Sequence, residues 1–204
     1  MTSELRTVAG EYVRQGIDRA ARTVERTRLR VAPSPRPLDP ESALADLPET
    51  PRILFLCHGN ICRSPLAERY ARKCDEGNAA RFDSAGFVAE DGRTSPTQAV
   101  DVAAQYGVDL TTHRSTRVTG DLLDESDLVV VMDVRNLRRL RRTFPERSDR
   151  PYFLHAFTDE EAIAVPDPHG EGWRAFDDAY RSVTAATERL VAALAEPERV
   201  SPPA

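Results

Sequence analysis

The stretch "RILFLCHGNICRS", residues 52–64, decides how the chain folds. After the leading arginine its first five residues are apolar, which is typical of a buried β-strand. A turn with two cysteines, a histidine, a glycine and an asparagine follows, and a helical pattern then runs over residues 65–76. A strand that passes through a tight turn into a helix is the first half of a parallel βαβ unit.

The rest of the chain repeats this alternation of strand and helix. Further strand-like runs are "RFDSAG" at 81–86, "DLVVVM" at 127–132 and "PYFLHAF" at 151–157, and further helical patterns lie at 96–106, 134–142 and 173–195. "DLVVVM" is apolar almost throughout, as expected of a strand that is covered on both faces. We therefore predict an α/β fold, with a doubly wound parallel sheet of about four strands flanked by helices.

The composition divides the chain into four regions. Residues 1–30 carry apolar residues at helical spacing between arginines, which predicts an amphipathic helical extension. Residues 31–51 are rich in proline, which excludes most regular structure and predicts a linker. The alternating pattern occupies residues 52–196, and we expect residues 197–204 to form a disordered tail.

The overall composition excludes several classes of protein. Of 204 residues, 40% are apolar and 30% are charged, which is ordinary for a globular protein, and no apolar run approaches the length of a membrane span. The N-terminus lacks the apolar core of a signal peptide. The three cysteines are an odd number and too few for a disulfide framework, so we expect a reducing, cytoplasmic location.

The net charge of −5 is unevenly distributed. Residues 1–36 hold eight arginines and four acidic residues, a net +4, whereas the remainder holds 20 basic and 29 acidic residues, a net −9. An acidic body is not typical of a nucleic-acid-binding protein. The basic extension could contact an anionic membrane surface, but docking on the acidic body or on a partner is the favoured interpretation.

The turn after the first strand has the spacing C-x5-R-S, from Cys57 to Ser64. The backbone N–H groups of such a loop and of the first helical turn point inward and can bind a tetrahedral oxyanion. Gly59 and Asn60 tolerate the left-handed backbone that the loop needs, and Arg63 offers a planar fork of donors for phosphate oxygens. The same positive field favours the Cys57 thiolate, a nucleophile for in-line attack on phosphate.

Asp167, in "AVPDPHGEGW", is the candidate proton donor. Cleavage of a phosphate ester requires a proton on the leaving oxygen, and hydrolysis of a phosphocysteine requires an activated water. One carboxyl group can do both in turn. A loop rich in proline and glycine before a helix is a suitable place for a residue that must reach across a pocket.

Other chemistries fit the loop less well. A C-x4-C pair with one adjacent histidine lacks the second ligand pair of a structural zinc site, and the loop lacks the Gly-Lys-Ser/Thr ending of a nucleotide-binding loop. We expect neither a metal nor a cofactor. A module that only binds phosphate remains an alternative, although binding alone requires neither a nucleophile nor an acid.

The stretch "LFLCHGNICRSPLAE" resembles the low-molecular-weight protein tyrosine phosphatase family. Further matches are "DSAGF" at 83–87, "GRTSPTQAVDVAAQYGVDLTTHRS" at 92–115, "DLVVVMDVRNLRRLRRTFPE" at 127–146 and "PDP" at 166–168. The resemblance implies that Cys57 is the nucleophile, that Arg63 binds phosphate and that Asp167 is the general acid. It also implies that Asn60 and Ser64 shape the loop, and that its supporting hydrogen bonds come from the residues Ser84 and His113.

The remaining site predictions concern the substrate and the redox state. The residues predicted to contact the substrate are His58, Gly59, Asn60, Ile61, Cys62, Ser64 and His169. Cys62 could also form a reversible disulfide with Cys57 that protects the nucleophile. We interpret the arginines of "VRNLRRLRR" as a solvated helix face.

The sequence differs from other family members at positions that distinguish one substrate from another. Many members have tyrosines after the DP motif, where this chain has His169 and Gly170. Related arsenate reductases use two further cysteines, but this chain has none after Cys74. Phosphoarginine phosphatases tend to carry threonine at the position of Ile61. We therefore predict a protein phosphotyrosine phosphatase, with phosphoarginine phosphatase or arsenate reductase as alternatives.

Overall fold

The computed structural model describes residues 39–77, 79–147, 151–158 and 162–196. The helical extension predicted over 1–30 and the tail predicted over 197–204 lie outside the described residues.

A four-stranded parallel sheet forms the centre of the protein. The strands are β1 (Arg52–Cys57), β2 (Arg81–Gly86), β3 (Leu128–Val131) and β4 (Pro151–Phe153), in the order β2-β1-β3-β4. In this register Cys57 lies beside Gly86 and Leu56 lies beside Val131, so the carboxyl ends of the central strands meet at one edge. The predicted parallel sheet of about four strands is confirmed.

Helices cover both faces of the sheet. The α-helices are α1 (Pro40–Leu44), α2 (Arg63–Cys74), α3 (Thr97–Gln105), α4 (Gly120–Asp124), α5 (Val134–Thr143) and α6 (Trp173–Leu194), and two 3-10 helices span Pro145–Arg147 and Leu154–Phe157. No helix among the described residues combines the length and the apolar character needed to span a membrane.

The strand β1 supplies side chains to two separate hydrophobic cores. Ile53, Phe55 and Cys57 face the core that includes residues of α2, α3 and α6. Leu54 and Leu56 face the opposite core, which includes residues of α4 and α5. Successive side chains of a strand point to opposite faces, so an apolar run with both faces buried requires helices on both sides.

The segment before β1 is more regular than the predicted linker. Helix α1 begins at Pro40, where the missing N–H leaves no helical hydrogen bond unmade, and the N–H of Ala43 donates to the carbonyl of Asp39 at 3.1 Å. Ala43 is buried in the first core, and Leu44 and Leu47 pack against it. The prediction that residues 31–51 lack regular structure is therefore wrong for this helix.

Two other predicted bounds differ from the structure, and one short helix was not predicted. The run "PYFLHAF" forms a strand only over Pro151–Phe153 and then tightens into the 3-10 helix Leu154–Phe157. Helix α4, which follows the N-cap Thr119, was not predicted because five residues are too few to show a helical period. Helix α2 begins at Arg63, two residues earlier than the pattern predicted, so Arg63 and Ser64 lie in its first turn.

Candidate active site

The loop between β1 and α2 closes around the sulfur of Cys57. Asn60 has φ +50°, and among the described residues it alone combines positive φ with a side chain. This left-handed conformation directs the backbone N–H of Asn60 to Cys57 Sγ, at 3.2 Å. The hydroxyl of Ser64 donates to the same sulfur at 3.1 Å. Donors that converge on a sulfur stabilise its thiolate form, which is the nucleophilic one.

The side chain of Asn60 fixes this loop conformation. Its Nδ2 donates to Ser64 Oγ at 2.9 Å and to Ser84 Oγ at 2.8 Å. Its Oδ1 accepts the backbone N–H of Thr116 at 2.8 Å. Asn60 is fully buried, so these bonds replace the water that its amide loses, and they hold the strained backbone in place.

Two titratable side chains stabilise the position of Asn60, one directly and one through Ser84. Nε2 of His113 donates to the carbonyl of Asn60 at 2.7 Å, and burial lowers the pKa of His113, so the imidazole is neutral. The hydroxyl of Ser84 donates to the carboxyl group of Glu68, and burial raises the pKa of Glu68. Ser84 and His113 therefore lie outside the pocket and contact the loop through Asn60.

Gly86, at the end of β2, allows the loop to approach the sheet. A Cβ atom there would lie 2.6 Å from the backbone nitrogen of Asn60 and 2.8 Å from the carbonyl carbon of Gly59. Both are backbone atoms, which cannot move away as the end of a flexible side chain can. Any other residue at this position would push the loop off the end of β2.

Arg63 lies beneath the pocket with its side chain 1% exposed. Its Nη1 donates to Asp133 Oδ2 at 2.7 Å and to the carbonyl of Val165 at 3.0 Å, and its Nη2 lies 2.6 Å from Asp167 Oδ2. Burial alone would lower the pKa of Arg63, but the charges of Cys57, Asp167 and Asp133 outweigh burial and raise it. The guanidinium is therefore charged and held in one orientation.

One donor of Arg63 has no partner among the residues that the structure describes. Its Nε is buried and makes no hydrogen bond within the described part of the chain. A buried donor without an acceptor is costly, because it has lost its hydrogen bond to water. An oxyanion bound in the pocket would supply this acceptor, which is what a phosphate-binding arginine requires.

A pocket of about 170 Å³ opens above the sulfur. Eight of the residues predicted for the site line it: Cys57, His58, Gly59, Ile61, Cys62, Arg63, Asp167 and His169. Asp167 is 36% exposed and lines the pocket, while its carboxylate contacts Arg63. Asn60 and Ser64, which were also predicted to contact the substrate, do not line this pocket and instead donate hydrogen bonds to Cys57 Sγ.

Cys62 lies one turn beyond Cys57 and is buried. Burial and the negative charge of Cys57 raise the pKa of the Cys62 thiol, so it stays protonated. Its carbonyl accepts a hydrogen bond from the hydroxyl of Tyr180 at 3.3 Å, which connects the loop to α6. The disulfide with Cys57 stays a prediction.

The residues missed by sequence reasoning include a carboxylate partner of Arg63, a support of the loop and two walls of the pocket. They are Asp133, Glu68, Val88 and Arg93. Only Asp133 carried a usable signal, because it follows β3 as the Cys57 loop follows β1, and adjacent parallel strands end at the same edge. Within the described ranges, no cluster of three histidine, cysteine or acidic residues could hold a metal ion.

Comparison with family models and with curated proteins gives the same family. The family model described as low molecular weight phosphotyrosine protein phosphatase matches residues 52–200. The low molecular weight protein-tyrosine-phosphatase of Streptomyces coelicolor is 35% identical over 159 residues, which cover 72% of this chain and 95% of that protein.

Two solved structures are similar over most of their length. The tyrosine phosphatase Wzb from Escherichia coli K30, in complex with sulphate, has a TM-score of 0.65 and 32% identity, and the match covers 71% of this chain and 99% of Wzb. The YwlE arginine phosphatase from Geobacillus stearothermophilus has a TM-score of 0.65 and 27% identity, and the match covers 71% of this chain and 92% of YwlE.

Proposed function

Because the chain belongs to the low molecular weight phosphotyrosine protein phosphatase family, we propose that it hydrolyses phosphotyrosine in proteins through a phosphocysteine intermediate. One observation carries the mechanism. The sulfur of Cys57 lies in the same pocket as the guanidinium of Arg63 and the carboxyl group of Asp167. A nucleophile, a phosphate-binding cation and a proton donor therefore converge on one small cavity.

In the first step Cys57 attacks the phosphorus. The backbone N–H groups of the loop and the guanidinium of Arg63 bind the phosphate oxygens and stabilise the charge that spreads over them. The S–P bond forms as the bond from phosphorus to the tyrosine oxygen breaks. Protonated Asp167 gives its proton to the departing phenolate.

In the second step water releases the phosphate. Asp167, now a carboxylate, takes a proton from a water molecule that attacks the phosphorus, and the S–P bond breaks. The hydroxyl of Ser64 and the N–H of Asn60 donate to the sulfur, so they stabilise the thiolate as it leaves. The products are inorganic phosphate, protonated Asp167 and the Cys57 thiolate, ready for the next substrate.

The pocket wall favours phosphotyrosine over phosphoarginine. Ile61 lines the pocket and is buried, so it presents hydrocarbon to the group that carries the phosphate. An aryl ring packs against this surface, whereas a guanidinium would leave an N–H donor unpaired, at a cost of about 1–3 kcal/mol. Since 1.4 kcal/mol is a factor of about ten, phosphotyrosine should be preferred by roughly tenfold to hundredfold.

Turnover of two matched peptides tests this proposal. The peptides differ only in carrying phosphotyrosine or phosphoarginine, and kcat/KM is measured for the native protein, Ile61→Thr and Cys57→Ser. We expect phosphotyrosine to be preferred, Ile61→Thr to gain activity on phosphoarginine, and Cys57→Ser to be inactive on both because its hydroxyl is not ionised. If the native protein prefers phosphoarginine, the claim that phosphotyrosine is the substrate is refuted. If Cys57→Ser is active, the claim that Cys57 is the nucleophile is refuted.

We also propose that the protein acts on phosphorylated proteins of the cytoplasm. Cys57, Cys62 and Cys74 are all free thiols in the structure. A thiolate nucleophile works only while it is reduced, and the cytosol keeps thiols reduced. Fractionation of cells that express the protein should recover it with cytosolic markers, and recovery with secreted proteins would contradict the proposal.

A further inference from the structure

A second cavity, of about 350 Å³, opens beside the active-site pocket. We call it the arginine groove, and its residues are His58, Arg135, Asn136, Arg138, Arg139 and Arg142. His58 lines both cavities, so the groove begins at the rim of the phosphate pocket. A peptide whose phosphotyrosine occupies the pocket can therefore extend along the groove.

The four arginines of the groove form one face of α5. They occupy positions i, i+3, i+4 and i+7 of the helix, which lie on the same side. The other side carries Leu137 and Leu140, which are buried in the second core. The ten residues of α5 include no carboxylate, so no ion pair forms within the helix.

Helix stability does not account for this arrangement. Arg142 lies in the last turn, where a cation interacts favourably with the helix dipole, but Arg135 lies in the first turn, where it does not. Like charges at i and i+4, such as Arg135 and Arg139, also repel each other. Among the residues that the structure describes, no carboxylate forms an ion pair with either of these two.

We propose that the arginine groove binds acidic side chains that flank the phosphotyrosine of a protein substrate. This inference rests on the function proposed above. Guanidinium groups bind carboxylates through two parallel hydrogen bonds, and an extended peptide advances about 3.3 Å per residue, so positions close to the phosphotyrosine reach the groove. Since the chain outside residues 1–36 carries a net −9, it would repel a membrane surface or a long polyanion more than a short acidic peptide.

Matched phosphotyrosine peptides with glutamate or glutamine at the flanking positions test the inference. The readout is the ratio of their kcat/KM values, which cancels any effect on the chemical step. For the native protein we expect the glutamate peptide to be preferred by about tenfold at low ionic strength. The preference should shrink as salt rises, because exposed charges are screened over about 10 Å at 0.1 M.

Two double variants separate the groove from the overall charge. Arg135→Gln with Arg139→Gln should reduce the ratio to about twofold, and the same pair changed to lysine should keep most of it. The control is Arg81→Gln with Arg141→Gln, which removes the same charge outside the groove. Arg81 lies at the opposite end of the sheet, at the start of β2, so the control should keep the native ratio. Thermal melting of each variant checks that the fold is intact.

The other outcomes contradict the inference, the proposed function or both. If the native protein has a kcat/KM ratio near one, the groove does not distinguish the two peptides. The same follows if the ratio falls equally in the groove variant and in the control variant with glutamine. Groove-dependent binding of phosphatidylserine vesicles or RNA without any peptide preference would assign the surface to another partner. Binding of both peptides to Cys57→Ser is measured as well. If Cys57→Ser binds the glutamate peptide preferentially but the native protein hydrolyses neither peptide, the inference about the groove is supported and the proposed function is refuted. If Cys57→Ser binds neither peptide, both are refuted.

Discussion

Replacing Asp133 should impair catalysis and helix stability by separable amounts. Its two carboxylate oxygens have different partners. Oδ2 accepts a hydrogen bond from Nη1 of Arg63 at 2.7 Å, and Oδ1 accepts the N–H of Asn136 at 2.7 Å as the N-cap of α5. The residue therefore orients the phosphate-binding guanidinium and stabilises the first turn of the helix at the same time.

Asparagine and alanine at this position divide the two effects. Asparagine caps helices about as well as aspartate, so Asp133→Asn keeps the cap at Oδ1. It replaces Oδ2 by an NH2 group, which carries no charge and cannot accept the hydrogen bond from Arg63. A hydrogen bond to a charged group contributes about 1.5–3 kcal/mol, so kcat/KM on a phosphotyrosine peptide should fall by about tenfold to hundredfold. Asp133→Ala also removes the cap and should lower the free energy of unfolding by about a further 0.5–2 kcal/mol.

The assay combines steady-state kinetics with urea unfolding of both variants. Native kcat/KM in Asp133→Asn would show that Arg63 is oriented without Asp133, and it would refute the reasoning. Equal free energies of unfolding for the two variants would show that the cap contributes nothing to α5.

Three other predictions follow from the site. Asp167→Asn should slow aryl phosphate hydrolysis by about 10²–10⁴-fold, the usual effect of a positioned proton donor, and near-native kcat would remove Asp167 from the mechanism. Burial lowers the pKa of His113 below its ordinary 6.5, so as the pH falls through about 6.5 the unfolded chain takes up a proton before the folded protein does. The free energy of unfolding should then decrease by up to about 1.4 kcal/mol for each pH unit below about 6.5. His113→Gln should make the free energy of unfolding, measured with urea, less dependent on pH. Peroxide should inactivate the protein reversibly through a Cys57–Cys62 disulfide, and mass spectrometry that finds only sulfinic Cys57 would contradict this.

The sequence was most informative where chemistry and secondary structure come from neighbouring residues. The strand β1, the loop and helix α2 are contiguous, so alternation, turn residues and the C-x5-R-S spacing together predicted their arrangement. Asn60 has the left-handed backbone that its residue type permits. Gly59, which was expected to share this role, has no positive φ.

Interactions between distant residues could not be predicted in the same way. Asp133 is 70 residues from Arg63, and the hydrogen bond between them depends on β3 pairing with β1. Nothing in the sequence of helix α2 distinguishes Glu68, and only the fold brings it into contact with Ser84. The short helix α1 was not predicted because the sequence around it is rich in proline. Pro40 is nevertheless the first residue of the helix, a position at which proline is favoured.

The most direct test of the mechanism is to trap the covalent intermediate. The native protein is mixed with a radiolabelled phosphotyrosine peptide, quenched in acid within the first turnover, digested and mapped by mass spectrometry. Attack by Cys57 predicts one phosphoryl group per molecule on the peptide that contains this residue, at a rate sufficient for turnover. Turnover without labelled protein, or a label on another residue, would contradict the claim that Cys57 is the nucleophile.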